Sequence, residues 1–311
     1  MSSFSRVLGE GFKGGRAALV AGTYLYAAAL AFSMTASAPL ASRLHGALDG
    51  QPGAGRLIED GGIGVVEELG RCSPGDRSAS LALIPPLAIV FLPLGILLTG
   101  GAYGLAAGRP DRPWRQFWVL AAERLPAFLA RGALGAIYAA GVVALAFFLA
   151  AGIASASREP PGRLVFWLSA GGRAAVVVFA LLHARTVLGF AYAFGESVPR
   201  ERSLPGFVRS LALCWRHLGP THGLGAAFLA LQASSALTGL AIARLAGEGG
   251  WLSAAFAQAG WFGVAWLRAA EIRARIAYAT QGSSPLPATP DSGCGSPASP
   301  RERVEGAECG P

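Results

Sequence analysis

Charge is scarce in this chain: only 14% of its 311 residues are Asp, Glu, Lys or Arg, against about a quarter in an ordinary soluble domain. A globule needs a charged surface to stay in water, so the shortage excludes an ordinary soluble enzyme. The apolar excess equally excludes a disordered chain. Cysteine is sparse too. Cys72, Cys214, Cys294 and Cys309 are the four present, with no C-x-x-C and no histidine at metal-ligand spacing, which argues against a disulfide scaffold or a zinc module. Asparagine is absent and Lys13 is the sole lysine, a bias expected of a GC-rich genome. The net charge of +8 is therefore arginine charge, and it alternates with apolar stretches instead of forming one patch. No nucleic-acid partner is expected. There is no Walker-type phosphate loop and no serine elbow. Gly62-x-Gly64-x-x-Glu67 is only a broken dinucleotide fingerprint. Neither a cofactor nor a metal is expected, and the balance leans away from an enzyme.

What the chain has in abundance is apolar length. Residues of the AVILMFWYC set make up 53% of it, with 43 glycines besides, and the mean hydropathy is +0.46. Six stretches suffice to cross a hydrocarbon core of about 30 Å, which takes roughly 20 helical residues. They are Ala17–Leu40, Leu81–Ala107, Ala127–Ala154, Leu164–Ala184, Gly223–Ala246 and Trp251–Leu267. The runs are continuous, not alternating, which predicts helices and not a barrel. Ala36-Ser37-Ala38 resembles a signal-cleavage site. The run before it is too long for a signal core and Pro39 follows directly, so an uncleaved first helix is expected.

The arginines predict the topology. Arg6, Lys13 and Arg16 precede the first span, and Arg109, Arg112, Arg115 and Arg124 follow the second. Arg200, Arg202, Arg209 and Arg216 follow the fourth, and Arg268, Arg273 and Arg275 follow the sixth. The opposite connections carry fewer basic residues or mix them with acids. Both termini and the even-numbered loops are therefore expected in the cytoplasm. The organisation is a lead-in over 1–16, a membrane domain over 17–280, and a disordered Ser/Pro/Gly-rich tail over 281–311.

Two cytoplasmic loops have amphipathic patterns. Trp114, Phe117, Trp118, Ala121 and Leu125 fall at helical spacing, as do Phe207, Val208, Leu211, Trp215 and Leu218. Both predict helices lying in the interface with the aromatic face in lipid. Phe4, Val7, Leu8 and Phe12 form a shorter version. Ala133–Tyr138 also matches Gly223–Phe228 in one ungapped register, and Phe117 matches Phe207. A threefold repeat of lead-in plus hairpin would give this pattern.

The polar candidates are few. Arg173, His183 and Arg185 fall in span four, where ionisable groups are costly. The two arginines are about 18 Å apart along a helix, so both could snorkel to opposite boundaries as anchors. The alternative is a polar cavity or anion site, which Arg173, His183 and Gln232 would line. No carboxylate inside another span is expected to neutralise them. His183 suits a helix-to-helix hydrogen bond better than a proton relay. Arg268, Glu271 and Arg275 share one face at the end of span six, expected to be a solvent-laced helix end, with a headgroup or partner contact as the alternative. Gly100, Gly104 and Gly108 form a close-packing stripe, internal or between copies.

Gly100-Gly101 closing span two, the Arg109-Pro110-Asp111-Arg112-Pro113 loop ahead of an aromatic helix, and Ala184-Arg185 late in span four carry a likeness. From about Gly14 to Thr280 the layout resembles uncharacterised six-helix bacterial membrane proteins akin to the membrane domain of some glycerophosphodiester phosphodiesterases. That group would have an acidic residue near His183. With no phosphodiesterase domain, the resemblance implies architecture and not catalysis. The expectation is an all-α, six-span inner-membrane protein serving as an accessory or scaffold, with a small transporter or permease subunit as the other reading. The bilayer is the expected partner, together with another membrane protein or a second copy.

Overall fold

The computed structural model describes residues 3–13, 15–48, 74–108, 111–156, 163–197, 203–247 and 251–282. Regular structure among them is helical throughout, in eight helices: α1 Ser3–Phe12, α2 Gly15–Leu48, α3 Pro74–Ala107, α4 Pro113–Ala156, α5 Arg163–Ser197, α6 Ser203–Arg216, α7 Leu218–Leu245 and α8 Trp251–Gly282. Long apolar runs favour this outcome because a helix satisfies its own N–H and C=O groups where no water can. The Gly-rich stretch 49–73, with Cys72, lies outside the described residues, as does the tail from 283 with Cys294 and Cys309.

Five helices are long and apolar enough to cross a membrane, through Gly15–Thr35, Ile89–Ala107, Pro113–Ile153, Ser169–Glu196 and Leu218–Leu245. α8 falls short of that standard. Its apolar part, Trp251–Leu267, is 17 residues, or about 25 Å of rise against a core of about 30 Å. The charges of Arg268, Glu271, Arg273 and Arg275 begin where it stops.

The outer surface is oily. Ile137 and Phe148 on α4 are 73% and 76% exposed, with Leu145, Phe147 and Leu149 beside them, and only 11% of the most apolar part of α4 is buried. In water such a belt would drive association; against acyl chains it costs nothing. The chain is a multi-pass membrane protein by its helices.

α7 and α8 form the closest pair, α4 packs on both α3 and α5, and α2 bridges α3 and α8. Between α7 and α8 the backbones nearly touch: a Cβ on Gly239 would stand 2.6 Å from the Gly260 Cα. The buried centre holds aromatic rings, with Phe128 and Tyr192 stacked at 4.5 Å and Tyr103 edge-on to Phe128 at 5.7 Å.

The aromatic residues of the lead-in helices divide between the protein interior and its outer surface. The first amphipathic loop is not a separate helix but the opening turns of α4, which continues through Pro126 into the span. Phe117 is fully buried, packed on Gly101 and stacked on Tyr24 at 4.3 Å; only Trp114 and Trp118 stay outside. In α6, Phe207 and Cys214 are buried while Val208 and Trp215 are exposed. α1 docks on α8, with Val7 buried and Phe12 against Phe228 and Trp266. Packing a phenyl ring on other side chains and leaving an indole, with its polar N–H, at the boundary are both favourable, so each helix shares its rings between the two. Gly100 and Gly104 pack internally against α4, near Ala121, Leu120 and Arg124, whereas Gly108 meets only the Gly104 carbonyl of its own helix.

Candidate functional site

The residue at the centre of the polar interior is Glu271 of α8, whose side chain is completely buried. Three guanidiniums reach it. Arg275, one turn on, donates Nη2–H at 2.5 Å, Arg268 donates from the turn before at 2.7 Å, and Arg185 donates from α5 at 2.6 Å. Gln232 of α7 donates its amide to the same carboxylate at 3.2 Å and accepts from Arg185 at 3.1 Å. Arg275 also donates to the Arg185 carbonyl at 3.0 Å. It fits beside Gly189 only because that residue has no side chain; a Cβ there would overlap the guanidinium.

This overturns two expectations. Arg268, Glu271 and Arg275 do not form a solvent-laced helix end, since Glu271 and Arg275 are among the most buried side chains of the protein. Nor does Arg185 lack a counter-charge: its carboxylate comes from α8, four residues beyond the apolar part of that helix. The spacing that places 268, 271 and 275 on one face was legible; which way that face turns was not.

Charge does not balance here. One carboxylate faces three guanidiniums, leaving an excess of two positive charges, and the Arg185 Nε is buried with no hydrogen-bond partner. Arg185 and Arg268 open on a cleft of about 640 Å³ between α2 and α8. Gln232 lines it as well. Arg173 and His183 do not: Arg173 bonds back to the Ser169 carbonyl of its own helix at 3.3 Å.

His183 belongs to a second polar chain. Tyr138 of α4, His183 of α5 and His222 of α7 are joined by contacts of 2.7 Å (Tyr138 hydroxyl to His183 Nε2) and 2.8 Å (His183 Nδ1 to His222 Nε2). The last link is His222 Nδ1 to the Leu218 carbonyl, 3.0 Å. A carbonyl can only accept, so with neutral rings the proton order is determined: His222 donates to Leu218, His183 to His222, and Tyr138 to His183. The two imidazoles are nearly coplanar, 8° apart with centroids 5.0 Å apart, as an in-plane N–H···N bond requires, and the Phe179 ring lies near-parallel to His222 at 5.6 Å. Tyr138 and His222 were not singled out for this role in the sequence, and no local spacing links them.

Two further features flank these. Arg124 pairs with Glu196 at 2.5 Å beside a cavity of about 520 Å³ that Asp111 and Glu123 also line. Cys214, the free cysteine among the described residues, is fully buried in α6. Burial pushes its thiol up to about 12, so it stays protonated at physiological pH. No group of His, Cys, Asp and Glu among the described residues could hold a metal.

No family, no curated protein and no solved structure matches this chain.

Proposed function

We propose that the chain is a six-span protein of the bacterial inner membrane, both termini cytoplasmic, that binds an anionic ligand and belongs with small carriers or permease subunits. One observation carries this reading: the two excess positive charges around Glu271 that open on a cleft. Arg185 and Arg268 keep only 26% and 33% of their side chains exposed; unbalanced charge so largely withdrawn from water is costly, and a scaffold would do better with a filled apolar centre. An anion entering beside Arg185 and Arg268 removes that cost, which is a thermodynamic reason for the site to fill. The six spans and their orientation are supported by the arginine-rich connections and by the resemblance to six-helix bacterial membrane proteins, with α8 short enough that Arg268 snorkels at the inner boundary.

The test is thermal unfolding of the detergent-solubilised protein, with phosphate, sulfate or acetate replacing chloride at constant ionic strength. A saturating anion should raise stability by about 2.7 kcal/mol at a hundred times its Kd, and Arg185→Gln should remove the response. The stabilising anion is then offered to proteoliposomes. Stabilisation without flux would return the chain to the accessory class, and no anion-specific stabilisation would overturn the binding reading itself.

A further inference from the structure

We infer that the anion is the headgroup of a phospholipid whose acyl chain lies in the cleft between α2 and α8; this rests on the anion-site reading above. The shape of the cleft makes the argument. Its α8 wall is one helical face running from Gln258 through Trp261 and Ala265 to Arg268, and its α2 wall presents Leu25, Ala29 and Leu30. Cationic groups therefore stand at one end and apolar side chains line the length. Partway along, the Tyr26 hydroxyl donates to Gln258 Oε1 at 2.5 Å. Ten residues of α8 separate Gln258 from Arg268, about 15 Å of rise, half of a hydrocarbon core of about 30 Å. The cleft is one leaflet deep. A soluble anion has no use for such a wall, whereas an acyl chain buries its methylenes along it with the phosphate held by guanidinium donors. The wall is reachable from the bilayer, since Trp261 is half exposed.

The experiment reconstitutes the full chain into vesicles of equal parts phosphatidylcholine and phosphatidylglycerol, extracts it in mild detergent, and counts retained lipid by native mass spectrometry. One phosphatidylglycerol per chain should be retained in preference to phosphatidylcholine. Arg268→Gln should weaken retention about tenfold, the factor one lost charge-assisted hydrogen bond represents. Ala29→Trp, which fills the cleft away from the arginines, should abolish lipid retention yet leave the phosphate-dependent rise in melting temperature intact. A second readout needs no altered wall: acyl-brominated phosphatidylglycerol should quench Trp261 more than brominated phosphatidylcholine does, judged by the difference from Trp261→Phe. If inorganic phosphate stabilises the protein while lipid retention ignores both Ala29→Trp and headgroup charge, the lipid inference falls and the anion site stands. If neither phosphate nor phosphatidylglycerol distinguishes the native chain from Arg268→Gln, both fall.

Discussion

Glu271 is the residue on which the interior balances. Replacing it by Gln leaves three guanidiniums facing one another in a buried space, and should cost about 3–5 kcal/mol. Arg268→Gln should cost far less, because it takes away one of two uncompensated charges from a side chain that is one-third exposed. Thermal melting of the two variants in detergent checks the order, and an equal loss would refute the charge argument. In the histidine chain, Tyr138→Phe and His183→Phe each remove one end of the same 2.7 Å bond. A double-mutant cycle should return a coupling near 1 kcal/mol, and zero coupling would mean the bond contributes nothing. Cys214 bears on topology. With no exposed surface and a thiol held to about 12 by burial, it should resist maleimide up to about pH 9 in the folded protein and react once denatured in SDS. Protection of Cys214 in whole cells therefore reports its burial, not the side of the membrane it occupies.

Among the elements, the α7–α8 pair is held by backbone approach. A methyl on Gly239 meets the Gly260 Cα and N and the Phe256 carbonyl, atoms that no rotamer change can move. Gly239→Ala should therefore cost about 1–3 kcal/mol. Gly141→Ala on α4, where nothing lies within 4 Å, should gain roughly 0.5–1 kcal/mol from helix propensity alone. Denaturation of the paired variants decides it, and similar values would show that the close approach is slack. The register that matches Phe117 with Phe207 also matches Arg185 with Arg275, 90 residues on. Those two arginines meet, the second donating to the carbonyl of the first. The lead-in helices show how far pattern reading goes. Spacing located their helical faces. It could not tell lipid from protein as the medium receiving them, because both are apolar.

For the whole molecule, the sixth crossing makes a direct prediction about labelling. In a background with Cys72, Cys294 and Cys309 replaced by Ser, Gly152→Cys and Ala246→Cys, at the ends of α4 and α7 that the proposed orientation puts outside, should label in whole cells with an impermeant maleimide, and Gly219→Cys should not. Thr280→Cys then reports on α8: protection means that it crosses, whereas labelling would leave five spans and put the C-terminal end outside. The sequence by itself determined that the chain is helical, apolar in long runs and solvated by lipid. Each of those follows from local composition and from the backbone's need to satisfy its own polar groups. It also located nearly every charge that matters. Only the tertiary structure decided which charges meet. Arg185, Gln232 and Glu271 lie 39 to 86 residues apart, and their convergence depends on how each helix is rotated about its axis. In a lipid solvent, an apolar stripe does not dictate that rotation as it would in water. Side-chain fit and buried polar contacts set it instead, and these exist only between helices.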